Sequence, residues 1–357
     1  MRGEFGMRFK FPLPLLSILW LGLLSSGIIA YVPNDNYPDL KGEKVVVYIL
    51  FQEEEGCRLL DYFKEKTALN YSYLRMPSGE AVARVIKEAA APMADILLGG
   101  PADAHQQLAN QGLLEKYISP VAKGIEPGFK SGEGYWTGIY MGPVAICINE
   151  NRWRREFAVR GLKKPETFQD LLNPAYQGEI IMPDPVTSGT AYTILASLIQ
   201  LWGETTAVAY FRKLHNAVAE YTKSGFTVAQ KVAAGEYLLG INFIHDQLLM
   251  KKAGFNISHV IPPMAGWEIG CVSLVKNRPY SKAARAFIDF MVGREAGQLH
   301  TNLTERISTR KDVTLPKGAT PLAEISINPR YDFFKAAQMK EEYLRLWREQ
   351  VITTPNQ

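Results

Sequence analysis

The feature that most limits the fold is the run Lys44 to Phe51, KVVVYILF, in which seven of eight residues are apolar with no polar alternation. A strand of that kind is buried on both faces, which is the situation in a parallel sheet covered by helices. The pattern then repeats. A helical stretch from Glu54 to Lys66 precedes a strand-like Tyr71 to Met76, and the turn Pro77 to Glu80 opens a helix over Ala81 to Ala90. A third strand, Ala94 to Leu98, ends in Gly99-Gly100-Pro101 before a helix over Ala104 to Gln111. Strand and helix alternating at this spacing predict an open α/β sheet, with ligands in the crevice beyond the carboxyl ends of the strands. Phe51 to Glu53, Pro77 to Gly79 and Leu98 to Pro101 are the candidate crevice turns.

At 357 residues the chain has length for two domains. A first crossing between them is expected at the strand Val144 to Asn149, after which Arg152 to Gly178 is richer in charge and proline. A return crossing is expected at Ile269 to Lys276, followed by a helix over Ser281 to Gly293. Helical segments around Pro321 to Ile325 and Asp332 to Glu349 are expected to pack back on the first lobe.

Between the crossings lies PDPVTSGTAY, residues 183–192. Ser188, Gly189 and Thr190 stand immediately before an apolar helical run, Ala191 to Trp202, so the unpaired N–H groups of its first turn favour an anion there. Thr187 or Ser188 acting only as a helix cap is the commoner role for such residues. A second turn, Tyr221-Thr222-Lys223-Ser224-Gly225, opens the helix Thr227 to Ala234. Two such turns can cup one anion. The apolar strand Tyr237 to Ile244 ends abruptly in His245-Asp246, before a helix over Gln247 to Ala253.

The ends and the composition add limits. Arg2, Arg8 and Lys10 precede an apolar run from Phe11 to Leu24 and small residues up to Ala30, the pattern of a cleaved secretory signal. An uncleaved anchor is the alternative, disfavoured by the short run and by Pro12 and Pro14. Cleavage would lower the net charge from +4 to +2, which gives no electrostatic footprint for nucleic acid. Cys57, Cys147 and Cys271 are too few for a disulfide scaffold. They read as buried small hydrophobes, with Cys147 and Cys271 the candidate pair if a bond forms in an oxidising compartment. No Gly-x-Ser-x-Gly elbow or His-Glu-x-x-His helix is present, so an enzyme is not expected.

Several ordered segments together carry a resemblance: SGEAVARV, ADILLGGPADA, QGLLEKY, DLLNPAYQGEIIMPDPVTSGTAY, YTKSGFTVAQKVAAGE and SKAARAFIDF. From about Val45 to Gln298 the chain resembles the extracellular solute-binding proteins of ABC importers, of the ferric-iron and phosphorylated-compound type. The resemblance implies a two-lobed periplasmic-binding-protein fold of type II with two crossing strands, 44–145 and 269–350 forming the first lobe and 146–268 the second. It implies a monomeric periplasmic receptor without cofactor or resident metal that delivers its solute to an inner-membrane permease.

Ferric-binding members carry adjacent tyrosines after the strand that here ends near Ile244, and this chain has no Tyr-Tyr pair. His245-Asp246, with Glu268 and Ser78, is similar to the hexose-phosphate receptors of the family. That likeness implies imidazole and carboxylates at sugar hydroxyls. Phosphate would then be held by Ser78, Ser188, Thr190, Thr222, Lys223 and Ser224, with Gly79 and Gly189 in the same turns, and Gly99 and Gly100 are further ligand-binding candidates. One departure is that Leu50, Phe51 and Gln52 are bulky where relatives commonly place a small hydroxylated residue. Tyr135, Trp136 and Trp267 are candidates for stacking on a ring or for packing between the lobes. A ferric or other metal receptor using His245, Asp246 and Glu268 is the alternative, as is a phosphonate, thiamine or polyamine receptor of the same fold.

Overall fold

The computed structural model describes residues 37–278, 281–316 and 324–353. The leader expected at 1–30 lies outside the described residues, as does most of the helical segment expected at 321–325. No described helix is long and apolar enough to cross a membrane.

The first part of the chain alternates as its pattern requires: β1 (Lys44–Ile49), α1 (Glu53–Thr67), β2 (Asn70–Arg75), α2 (Ser78–Lys87), β3 (Ile96–Pro101), α3 (Ala102–Asn110) and the short β4 (Leu114–Glu115). Then come β5 (Thr137–Asn149), α4 (Glu150–Arg152), β6 (Ile180–Pro183), α5 (Gly189–Trp202), α6 (Glu204–Ala217), β7 (Val218–Thr222), α7 (Gly225–Ala234), β8 (Leu239–Phe243), α8 (Ile244–Lys252) and β9 (Ile257–Val260). The chain returns through β10 (Trp267–Val275), α9 (Lys282–Met291), α10 (Arg294–Thr304) and β11 (Ile307–Ser308), and ends in α11 (Phe333–Gln338) and α12 (Lys340–Leu346).

The strands lie in the order β2-β1-β3-β10-β5-β8-β6-β7. β1 is parallel to β2 and β3, and β6 is parallel to β7 and β8. The join is β5, thirteen residues long and buried throughout. Its first half, Thr137 to Pro143, pairs antiparallel with β10, while Val144 to Ile148 pairs antiparallel with β8. One strand therefore belongs to both lobes, and the Val144 N–H donates to the Gly266 carbonyl where the returning chain passes beside it (2.8 Å). This is the type II fold with two crossing strands.

Local boundaries differ from the sequence expectations in ways that matter for the site. The crossing strand starts at Thr137 rather than Val144, because Gly138, Gly142 and Pro143 break the apolar pattern of a strand whose pairing is set by tertiary neighbours. α2 starts at Ser78, with Pro77 at its N-cap, so Ser78 and Gly79 stand in the first helical turn rather than in a preceding loop. His245 and Asp246 likewise begin α8 rather than ending a strand.

Two expectations are corrected. The three cysteines are free. Cys147 sits opposite Gly240 and His259 in the second half of β5, and Cys271 lies on β10 opposite Gly138 in the first half, so the strands are neighbours but the two thiols stand at separate points along β5. The end of the chain packs on the first lobe only in part: α11 lies on α3 and Phe334 stands 6.2 Å from Trp136, but most of its aromatic side chains meet the second lobe. Trp347 meets Phe211 and Tyr221 edge-on at 5.8 and 5.5 Å, and the Tyr192 hydroxyl donates to the Ala336 carbonyl. Tyr331, Phe333, Tyr343 and Trp347 share one core with α5, α6 and the second lobe's sheet. Helical periodicity identifies which face is apolar, but the uncovered surface of α5 and α6 decides what that face meets.

Trp347 is 1% exposed, so Trp347→Ala leaves a large void in the second lobe's core. We expect a loss of about 3–5 kcal/mol in urea unfolding followed by tryptophan-independent circular dichroism. A loss below about 1 kcal/mol would mean that the C-terminal helices are a detachable cover.

Candidate functional site

The carboxyl ends of β1, β2, β3, β6 and β8 all run toward one crevice between the lobes, as the open-sheet rule requires. The crevice holds a cavity of about 50 Å³.

One end is built from helix starts. Ser78 of α2, Ser188, Gly189 and Thr190 at the head of α5, and Ser224, Gly225 and Phe226 at the head of α7 line the cavity. Three macrodipoles therefore bring their positive ends to one place. Ser188 is the N-cap of α5, its Oγ accepting from the Ala191 N–H at 3.4 Å. The packing here needs glycine. A β-carbon at Gly189 would stand 2.9 Å from Ser78 Oγ and 2.8 Å from Pro101 Cδ, and one at Gly100 would stand 2.8 Å from the same Oγ. Ser78, 5% exposed, is thus enclosed by backbone from both lobes. The Gly79 N–H donates to the Thr187 carbonyl at 3.0 Å, a main-chain bond across the cleft.

Arg75, the last residue of β2, adds a cation to the cavity wall. Its Nε donates to the Phe51 carbonyl at 2.9 Å. Burial lowers its pKa against the opposing pull of Asp246, Glu53 and Glu80, yet a guanidinium remains charged at neutral pH.

The other end is carboxylate-rich. His245, Asp246 and Glu268 are all buried and all line the cavity. His245 Nε2 lies 3.4 Å from Glu268 Oε1 and 3.8 Å from Asp246 Oδ1. Its ring is held edge-on to Tyr140 at 5.7 Å and rests where a β-carbon at Gly142 would stand 2.5 Å from Nδ1. Burial first, then the charges of Arg306 and His300, depress its pKa well below the ordinary value, so the imidazole is neutral. His245 Nδ1 is buried without a hydrogen-bond partner.

Burial pushes Asp246 up to about 6, with Arg306 and the Gln52 hydrogen bond restraining it. Burial raises Glu268 further. Arg306, 3% exposed, closes this end. Its Nε donates to Glu55 Oε1 at 2.9 Å and its Nη2 to Gln52 Oε1 at 2.7 Å, while its plane lies 4.2 Å from the centre of the Tyr140 ring. Among the described residues, no group of three or more His, Cys, Asp or Glu is placed to hold a metal ion.

Of the residues singled out in the sequence, Ser78, Gly100, Ser188, Gly189, Thr190, Ser224, His245, Asp246 and Glu268 are brought together around this cavity. Four are not. Gly99 lies against Phe51, and its carbonyl binds His105. The N–H of Gly79 is committed to Thr187. The Thr222 hydroxyl donates to the Ser224 carbonyl at 2.8 Å, and Lys223 is exposed. The candidate ring-stackers also pack elsewhere: Trp136 Nε1 donates to Gln106, and Trp267 stands edge-on to Phe333 at 4.9 Å. The cavity's aromatic residues are Phe51, Tyr140, Phe226 and Phe243.

Arg75 and Arg306 escape the sequence reading. The signal for Arg75 is a cation at the last strand position, three residues before a helix-starting serine. Arg306 sits beside a two-residue strand and carries no pattern.

Residues 91–321 match the bacterial extracellular solute-binding protein family. An uncharacterized protein of Haemophilus influenzae is 32% identical over 298 residues, spanning 81% of this chain and 85% of that protein. Among solved structures, the periplasmic binding protein AfuA from Actinobacillus pleuropneumoniae, with exogenous fructose-6-phosphate bound, superposes with a TM-score of 0.83. It is 31% identical and covers 87% of this chain and 99% of its own. The periplasmic binding protein P5PA gives 0.81 and 30%, covering 87% of this chain and 99% of its own. A two-lobed fold whose crevice gathers helix starts agrees with these likenesses. The chain belongs to the family of bacterial extracellular solute-binding proteins, periplasmic receptors that carry solutes to ABC importers and are not enzymes.

Proposed function

We propose that the solute is a small phosphorylated polyol, with a sugar phosphate the best fit, captured by a secreted monomer and passed to an inner-membrane permease. The observation that carries this is the polarity of the cavity. Three helix starts gather on one side, Asp246, Glu268 and neutral His245 on another, and Arg75 stands in the same lining within reach of the Asp246 charge. A dianion belongs with the first set and is repelled by the second. Hydroxyl groups suit the second set, since Asp246 and His245 can accept from them and His245 can also donate. AfuA, similar over most of the chain, holds fructose-6-phosphate. The leader at 1–30 belongs to the same proposal.

A ferric receptor is the other reading of this family type. A hard trivalent cation needs anionic oxygen, and burial holds the Tyr140 hydroxyl, the phenol in this cavity, well above its ordinary pKa. Arg306 over the same ring opposes a second cation.

The test is a thermal-shift and calorimetric panel of hexose phosphates, phosphoglycerate, aminoethylphosphonate, inorganic phosphate and ferric citrate. At least one hexose phosphate should bind at roughly micromolar Kd. Arg75→Met should weaken hexose phosphate and inorganic phosphate alike, by about 10- to 100-fold. Binding of ferric citrate alone would sink the proposal.

A pH titration separates the two ends. The Asp246 carboxylate accepts from a hydroxyl only when ionised, so its contribution is present above about 6 and is lost as pH falls through that value. The preference for hexose phosphate over inorganic phosphate should therefore fall by about tenfold per pH unit below 6 in the native chain. In Asp246→Asn the preference should be low and flat. A native preference that is flat from pH 7 to pH 5 would remove Asp246 from recognition.

A further inference from the structure

The crevice holds a second cavity. It has a volume of about 650 Å³ and opens between α1 and α10 on one side and α7 and α8 on the other. Gln52, Arg75, Ser224 and Phe226 line both cavities, so these side chains form the partition between them.

Within that partition Gln52 is fastened at both ends of its carboxamide. Nε2 donates to Asp246 Oδ1 at 2.6 Å, and Oε1 accepts from Arg306 Nη2 at 2.7 Å. Residue 52 is the N-cap of α1 in the first lobe, whereas Asp246 is in the first turn of α8 in the second. The bond to Asp246 therefore spans the cleft and exists only when the cleft is shut. A carboxamide satisfies both neighbours at any pH, since one requires a donor and the other an acceptor. Alanine would supply neither, and glutamate would set two carboxylate oxygens against each other at Asp246.

We propose that Gln52 is both the size gate and the closing latch of this receptor. As a gate it seals the inner cavity from the outer one, so that the native chain holds a solute of one phosphorylated ring and excludes one with a second ring attached. As a latch it ties closure to the state of Asp246. The choice of solutes rests on the proposed function, whereas the latch does not.

The charged and titratable groups that share a cavity wall with position 52 are Asp246 and His245 from α8, Glu53, Glu54, Glu55 and Arg58 from α1, Arg75 from β2, Lys252 from α8, Glu268 from β10 and Arg306 beyond α10. Arg306 is already committed to Glu55, whose other partner is His300, so it does not neutralise an added carboxylate in full. Gln52→Glu should consequently close at pH 5, when a proton is shared with Asp246, and open at pH 8. Native protein should show a weaker dependence.

Two measurements decide the proposal on the full mature chain. Calorimetry compares a hexose 6-phosphate with a phosphorylated disaccharide. Gln52→Ala should bind the hexose phosphate about 10- to 100-fold more weakly and bind the disaccharide phosphate at least as well as the native chain. An unchanged ratio of the two affinities overturns the gate. Small-angle scattering of the ligand-free proteins at pH 5 and pH 8 reads closure directly, and a Gln52→Glu profile identical to native overturns the latch. If the native chain binds neither sugar phosphate, the functional reading and the gate fall together, and scattering still decides the latch.

Discussion

The site depends on one buried guanidinium. Taking Arg306 out of water is costly, and burial alone would lower its pKa, yet the net direction is upward because Glu55, Tyr140, Asp246 and Glu268 surround it. Glu55 takes most of this cation. Burial pushes the Glu55 carboxyl up, but Arg306 and His300 together hold it below the ordinary range, so that pair is charged on both sides. Asp246 and Glu268 lie farther out and share what is left. Burial therefore dominates in them, and their pKa values rise. Arg306 thus fixes one carboxylate as a structural partner and leaves two as groups able to meet a solute.

The same residue ties this chemistry to the architecture. Arg306 is followed at once by Ile307 and Ser308, which pair with Met141 and Tyr140 of the crossing strand. That register places the Tyr140 ring beneath the guanidinium, and the ring in turn stands beside His245. Gly142, two residues along, gives His245 the space it occupies. The crossing strand is therefore a wall of the site as well as a link between lobes. Motion at the crossing has to disturb the carboxylate end, which is how closure and recognition become one event.

Much of this was legible in the chain. The unbroken apolar run at 44–51 requires a covered parallel sheet, and hydroxyl-glycine turns before apolar helices mark the starts of α5 and α7. His245 and Asp246 stand out because a polar pair interrupts an apolar stretch, and the structure brings them to the cavity with Glu268. What escaped has a common physical origin. Arg306, the first half of β5 and the C-terminal aromatic face all owe their positions to partners far away in sequence, and no local periodicity encodes a distant partner. Lys223 failed in the opposite sense: its charge and its neighbours suggested an anion site, but it is exposed while the adjacent Ser224 faces the cavity.

The choice between a helix cap and a ligand contact at Ser188 dissolves once its hydrogen bonds are counted. As the N-cap of α5, Ser188 Oγ uses one lone pair to accept from the Ala191 N–H. A hydroxyl carries two lone pairs and one O–H, so capping leaves its donor free. Ser188 is buried and lines the cavity, where that donor would otherwise lack a partner. The cap in fact makes it a better donor to an anion, since a hydroxyl fixed by accepting one bond cannot rotate its oxygen away from the cavity. Capping orients the group and the helix dipole favours the charge it would meet, so the common structural role of serine here prepares the rarer one.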